Sequence, residues 1–441
     1  MVDLCLLNCK LPPKNIECSI AIENGKIVSI NKIAPKCDET IDLEGKIVLP
    51  GLIDAHVHMR DPGLTHKENW KTGSMAAAAG GFTTVLDMPN TIPETNTPRA
   101  FREKLEIARE KSVVDFGLHA SVEDPGEIQA ISKLKPASFK VFMDTVGNGP
   151  LMEVFREVSS EIYEDHNETP NSKLKSKKPL ISLHCEDKNI TAHCTKSMML
   201  KGEKPEIYAD ARPSIAEVVA VSSALAMAEY FNFPVHVCHV STRKALELIN
   251  RARSHGCKVT AEATPHHLFL DSGYLRKFGN LAKTNPPLRN RENNISIDDL
   301  PKIDIIGTDH APHTIHEKKQ NVWNAPSGIP GLETVLPLIL TEINQGRLSF
   351  SQLERLLCQN PAKIFNIENK GFIKEGMDAD FVVVDMKKEG VINPDKFHSK
   401  AHYSPFEGFK VKGKAVMTIV RGNVVMDDDE VFPNKGHFIY G

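Results

Sequence analysis

Neither sign of charge is in excess in this 441-residue chain. Its 54 Lys and Arg stand against 57 Asp and Glu, a formal net charge of -3. That leaves no electrostatic footprint for nucleic acid or an anionic membrane surface. Long apolar runs are also missing. PVHVCHV and FVVVD are strand-sized, far short of the roughly 20 residues that cross a bilayer. The start, MVDLCLLNCKLPPK, lacks a basic segment followed by an apolar core and a small-residue cleavage site. No signal peptide is therefore expected, and a cytoplasmic location is. The nine cysteines are odd in number, scattered, and never spaced as CxxC. This argues against a disulfide framework or a cysteine zinc site, and for small buried apolar residues.

What is present is ordinary globular composition, 41% hydrophobic and 25% charged, in a chain long enough for a barrel plus a satellite domain. No internal repeat is visible. The polar stretch 161–178 reads as a surface insertion. Residues 1–50 and 372–441 are short β-like runs split by turn signals: SIAIENGKIVSI with its Asn-Gly, and GKAVMTIVRGNVVMD with its Gly-Asn. The two ends are expected to pair into one small β domain. Residues 51–371 alternate strand-like and helix-like segments. LIDAHVH, TTVLDMPN, DFGLHAS, SFKVFMD, LISLHCED, VHVCHVS, KVTAEATPHH and IDIIGTDHAPH are the strand candidates. RAFREKLEIARE, SIAEVVAVSSALAMAEYF and TRKALELINRARSHG are among the helical patterns. Such alternation implies a parallel sheet, and about eight units is the count of an α/β TIM (β/α)8 barrel. Residues able to do chemistry recur at the C-terminal ends of these strands, where such barrels place their active sites.

His56 and His58 close the first strand two residues apart, so their side chains share a face. An HxH pair alone is weak. Lys140, His184, His239 and Asp309 occupy equivalent places on later strands and strengthen it. VHVCHVS offers both His236 and His239. Their spacing of three puts them on opposite faces, and periodicity does not choose between them. His266 and His267 of TPHH are read as structural. Asp309 fits either a metal or a buried salt bridge, because an idle carboxylate there is costly. Lys140, between Phe139 and Val141, is expensive as an ammonium. It can become a carbamate that bridges two cations, or it can pair with a strand-end acid such as Asp144.

The set GLIDAHVHMRDPG, MPNT, FKVFMD, LHCED, CHVST, KTNPPLR and TDHAPH resembles the amidohydrolase superfamily, and within it the dihydroorotase family. The likeness spans nearly the whole chain, including DADFVVVD, which is similar to the family's closing β-sandwich. The resemblance implies that His56, His58 and Asp309 bind one Zn2+, that His184 and His239 bind a second, and that carboxylated Lys140 bridges the two. It thereby selects His239 over His236. Zinc brings the pKa of bound water near neutrality. The implied reaction is hydrolysis of a cyclic amide and its reverse, the closure of N-carbamoyl-L-aspartate to L-dihydroorotate, with Asp309 carrying the proton. Asp54, on the face of His56, is either a partner of a ligand histidine or a packing residue.

Substrate choice rests on the rim. Arg60 can hold a carboxylate bidentately. Asn90 and His313 resemble the family's other carboxylate contacts, and Asn285 a residue beside the ring. The backbone of residues 325–328 is a candidate contact to the ring amide. Each has a plain alternative: Arg60 could pair with a neighbouring acid, and Asn90 could cap a turn. Thr145 begins TVGNGP, whose two glycines suggest a loop closing over the substrate. Aspartate transcarbamoylase is a candidate partner by pathway. The rival readings are allantoinase, hydantoinase or dihydropyrimidinase, which share the metal set but take rings without the carboxylate, and a non-catalytic relative, which would be expected to lack ligands.

Overall fold

The central strands have no polar face. Leu52–Val57 and Phe82–Asp87 are buried at every position, as strands covered on both sides must be. The computed structural model describes residues 2–13, 16–122, 124–164 and 180–441. Among these, a parallel series runs Leu52–Val57, Phe82–Asp87, Asp115–Leu118 continued by Ala120–Ser121, Phe139–Phe142, Ile181–His184, Val235–Val237, Val259–Ala263 and Ile305–Ile306. A parallel bridge between Val57 and His310 brings the last strand back against the first, with the His58 N–H donating to His310 O at 2.8 Å. Asp54 Oδ1 reinforces that seam, accepting from the Thr308 N–H at 3.1 Å.

The expected helices lie between the strands. Trp70–Ala79, Pro98–Lys111 and Arg243–Ser254 start at Asn69, Thr97 and Thr242, whose side chains accept from backbone N–H groups three residues on. Each such cap stabilises its helix by about 1 kcal/mol. Arg243–Ser254 turns Ala245, Leu246 and Ile249 inward at helical spacing. Ser214–Tyr230 buries Ala216, Ala220, Val221 and Ala224. With the turns before it, it spans the 26 residues Pro205–Tyr230, which include a window long and apolar enough to cross a bilayer by length and composition, 44% of it buried inside the protein.

TVGNGP differs from its expected form. Thr145 to Gly147 turn, but Asn148 already opens the helix Asn148–Glu164, with Gly149 and Pro150 in its first turn. Proline is tolerated there because the first helical N–H groups have no intrahelical partner. The rest of the polar insertion, 165–178, lies outside the described residues.

Both termini contribute to one nine-stranded sheet. Val2–Leu11 pairs with Ile16–Glu23, Cys37–Asp42 and Ile47–Pro50. Ile47–Pro50 pairs antiparallel with Phe381–Val391, which joins the two ends of the chain. Lys410–Val420, Asn423–Asp427 and Glu430–Val431 extend the ladder. The first hairpin turns at Asn24 and Gly25, with φ of 51° and 71°, the left-handed pair a type I′ turn needs. The later hairpin turns at Arg421 and Gly422, one residue before the expected Gly-Asn, because Asn423 already pairs with Val420. Leu4, Leu6, Ile20, Val48, Phe381 and Ile419 form this sheet's own core. Beyond Val431 the chain leaves the sheet and runs beside the Asp115–Leu118 strand, with Ile439 N–H donating to Phe116 O at 3.0 Å.

Candidate metal and substrate site

His56, His58, His184, His239, Asp309, Arg60, Asn90, Asn285 and His313 all line one cavity of about 270 Å³. Strand ends and the segments just past them bring most of them there, and Asn285 comes from the segment after the turn Gly279–Ala282. Three lie where the chain turns sharply: Arg60, His239 and Asp309 have φ of 60°, 35° and 47°. Non-glycine residues hold such angles only where the surroundings enforce them. His56 Nε2 and His58 Nε2 lie 3.4 and 3.1 Å from Asp309 Oδ1, and the three could share one metal ion. His184 Nδ1 and His239 Nε2 meet at 3.0 Å. The His56 and His239 rings, 5.3 Å apart between centroids, join the two groups.

His236 points elsewhere. Its Nδ1 meets Thr260 Oγ1 at 2.8 Å, and its ring stands edge-on to Phe365. Lys140 is fully buried and reaches Cys238 Sγ at 3.0 Å. Among the described residues it has no carboxylate within 4 Å, and Asp144, the alternative partner, is held by Arg212 at 2.7 Å. Thr145 is exposed and lies outside the cavity wall, its hydroxyl donating to Phe142 O at 2.9 Å. Asp54 touches the His56 backbone N–H at 3.1 Å rather than the ring, and burial raises its pKa to about 7. His267 is structural, its nitrogens engaged by Thr264 Oγ1 and Pro286 O.

The electrostatics suit a cation. Burial lowers the pKa of His58 to about 4 and takes His239 well below the usual histidine range, so both rings are neutral. His56 runs the other way: burial opposes its charge, but Glu262 overrides it and lifts the pKa to about 10, so this ring would have to give up a proton to serve as a ligand. Burial would raise Asp309, yet His56 and His58 hold it below the usual carboxylate range, so it is ionised. Among the described residues the buried His239 Nδ1 has no hydrogen-bond partner. Four imidazoles and a carboxylate converging in one pocket are the donor set of a divalent metal that takes nitrogen and oxygen ligands. The residues fit such an ion.

The rim is basic. Arg60 is buried, donates from Nε to Pro312 O at 3.4 Å and approaches His313 Nε2 at 3.2 Å. Lys67 Nζ donates to His313 Nδ1 at 3.2 Å. Burial first, then these two cations, keep His313 neutral. Asn90 Oδ1 lies 2.6 Å from His58 Nδ1, so its amide oxygen orients that ring. Asn285 Oδ1 accepts from the Tyr208 hydroxyl at 2.6 Å, and the same hydroxyl meets Ser327 Oγ at 3.0 Å. Lys318 donates to the carbonyls of Pro326 and Gly328 at 3.0 and 2.8 Å, and so fixes the 325–328 wall. Glu186, Glu262, Arg212, Tyr208 and Lys318 were not singled out in the sequence. For the two glutamates a signal existed: each is an acid in an apolar strand or strand end, in LHCED and VTAEA.

The Amidohydrolase family sequence pattern matches residues 47–425. The chain is 49% identical to a dihydroorotase of Methanothermobacter thermautotrophicus over 100% of this chain and 97% of that one. It is 47% identical to a dihydroorotase of Methanosphaera stadtmanae over the full length of both. The chain belongs to the amidohydrolase family, in its dihydroorotase branch. Among solved structures, this amidohydrolase is similar to the L-hydantoinase (dihydropyrimidinase) of Arthrobacter aurescens, with a TM-score of 0.92 and 32% identity over 100% of both chains. Amidohydrolase membership accounts for the parallel strands, the β-rich terminal sheet and the hydrolytic character of the site.

Proposed function

We propose that this protein is a dihydroorotase, interconverting L-dihydroorotate and N-carbamoyl-L-aspartate in cytoplasmic pyrimidine biosynthesis. The reading includes a closed (β/α)8 barrel over 51–371, a β-sandwich domain from 1–50 and 372–441, and two Zn2+ held by His56, His58, His184, His239 and Asp309 with carboxylated Lys140 between them. When bound, such ions supply Lewis acidity, activating water and polarising the ring carbonyl.

The chain's own residues then divide the work. In hydrolysis the oxygen of water bonds to the ring amide carbon, the carbon–nitrogen bond breaks, and one proton moves from water to the leaving nitrogen. Asp309, ionised and in the cavity wall, takes that proton and delivers it. In the reverse direction protonated Asp309 helps expel water as the ring closes. Asn90 and His313 bind beside Arg60, and Asn285 faces the ring; Thr145, outside the cavity wall, has no part in this reading.

One observation carries the choice of substrate. Arg60 is buried at the cavity, and among the described residues it has no carboxylate within 4 Å. A buried cation without a counter-ion is costly. The ring carboxylate of dihydroorotate supplies that counter-ion, whereas a hydantoin or dihydrouracil ring leaves Arg60 unpaired. The likeness to the Arthrobacter L-hydantoinase favours the neutral-ring alternative by fold, but does not explain Arg60. Arg60→Met is expected to raise KM for dihydroorotate about 10- to 100-fold, the loss of a charge-assisted hydrogen bond, with metal content unchanged. An unaltered KM would contradict the assignment.

A further inference from the structure

Two fully buried carboxylates reach the histidine cluster from behind the cavity wall. Glu262, at the end of Val259–Ala263, places Oε1 2.7 Å from His56 Nδ1 and accepts from the His239 backbone N–H at 3.0 Å. Glu186, two residues past its own strand end, places Oε2 3.0 Å from His184 Nε2. An ionised carboxylate only accepts hydrogen bonds. His56 must therefore carry its proton on Nδ1 and turn Nε2 toward Asp309. His184 must carry its proton on Nε2 and turn Nδ1 toward His239.

Neither carboxylate is free to move. Arg212 grips Glu186 Oε2 through Nε at 2.9 Å and Nη2 at 2.6 Å, and its Nη2 also holds Asp144 at 2.7 Å. The Arg212 backbone carbonyl accepts from Arg289 of the NPPLR motif. Glu262 is wedged against Gly307, where an added Cβ would stand 2.6 Å from its carboxyl group. The two holders differ in reach. Among the described histidines Glu186 meets the ring of His184 alone, while Glu262 meets the ring of His56 and the backbone of His239, and His236 Nε2 lies 3.6 Å from its other oxygen.

We propose that Glu186 and Glu262 are positioning residues of the metal cluster, Glu186 governing the His184–His239 side and Glu262 both sides. The inference rests on the reading of the cluster as a two-metal site. Carboxylates that orient ligand histidines in this way commonly change metal affinity about 10- to 100-fold when replaced.

The test is zinc titration of the metal-free protein against a chromophoric chelator, with circular dichroism checking the fold. Wild type should bind two zinc ions. Glu186→Gln should weaken one of them about 10- to 100-fold and leave the other as it was. Glu262→Gln should weaken both. Arg212→Lys, which loosens Glu186 without removing it, should weaken the same ion as Glu186→Gln to a smaller degree, and decides the matter if a glutamate variant does not fold. Wild type binding two ions, with both affinities unchanged in Glu186→Gln or both lowered alike, would overturn the proposal. Wild type binding no zinc would overturn the two-metal reading itself, and is told apart from the former by its stoichiometry.

Discussion

Tyr208 shows how a single side chain shapes the pocket without lining it. Its hydroxyl joins Asn285 and Ser327, both in the cavity wall, and Lys283 Nζ lies 4.3 Å from its ring centroid. Burial lowers the Lys283 pKa to about 8. Removing the hydroxyl leaves Asn285 Oδ1 without that donor, a loss of about 1 kcal/mol. Tyr208→Phe is therefore expected to raise KM for dihydroorotate about fivefold with little change in kcat, measured by steady-state kinetics. At this scale the sequence was readable where a motif names the residue. His56, His58, His184, His239 and Asp309 stand in such motifs, and they meet in one cavity. It was unreadable where the role comes from a distant partner. Glu262 meets His56 across 206 positions, and Tyr208 meets Ser327 across 119. No local spacing encodes those meetings.

At the scale of elements, alternation and turn chemistry carried far. Each of the eight strand candidates contains a described strand, and each helical pattern quoted contains a helix. The burial of whole strands, with no polar face, is what made them legible. Errors came at boundaries. In VRGNV the Gly-Asn pair looked like the turn, but the left-handed angles fall on Arg421 and Gly422, and ladder register decided the point. In TVGNGP two glycines read as loop, yet Asn148 and Gly149 begin a helix of 17 residues. Glycine weakens a helix interior more than a first turn, where the N–H groups have no intrahelical partner in any case.

At the scale of the whole molecule, a buried ionic hub lies between the parallel strands and the terminal sheet. Lys370 Nζ lies 2.7 Å from Asp115 Oδ2 and 3.1 Å from Asp378 Oδ2, and also binds Asp380. Arg421 and Lys26 add charges from the sheet side. Burial works against Lys370, but the three carboxylates hold its pKa above the usual lysine range. Removing one partner of such a group leaves uncompensated buried charge. Lys370→Met is expected to destabilise the fold by about 3–5 kcal/mol, read as a lowered denaturant midpoint, while metal content of the folded fraction is kept. A midpoint equal to wild type would show the hub to be dispensable. Sequence alone gave no hint of this hub, because it gathers residues from 26 to 421.

One cavity holds a histidine–carboxylate cluster that fits a metal and an Arg60 with no carboxylate within 4 Å among the described residues. The most direct measurement follows hydrolysis of dihydroorotate beside hydantoin, dihydrouracil and allantoin on the zinc-loaded protein. Turnover of dihydroorotate, with the three rings that lack a carboxylate unreacted or far slower, is the predicted result. Preferred turnover of one of those three rings would contradict it.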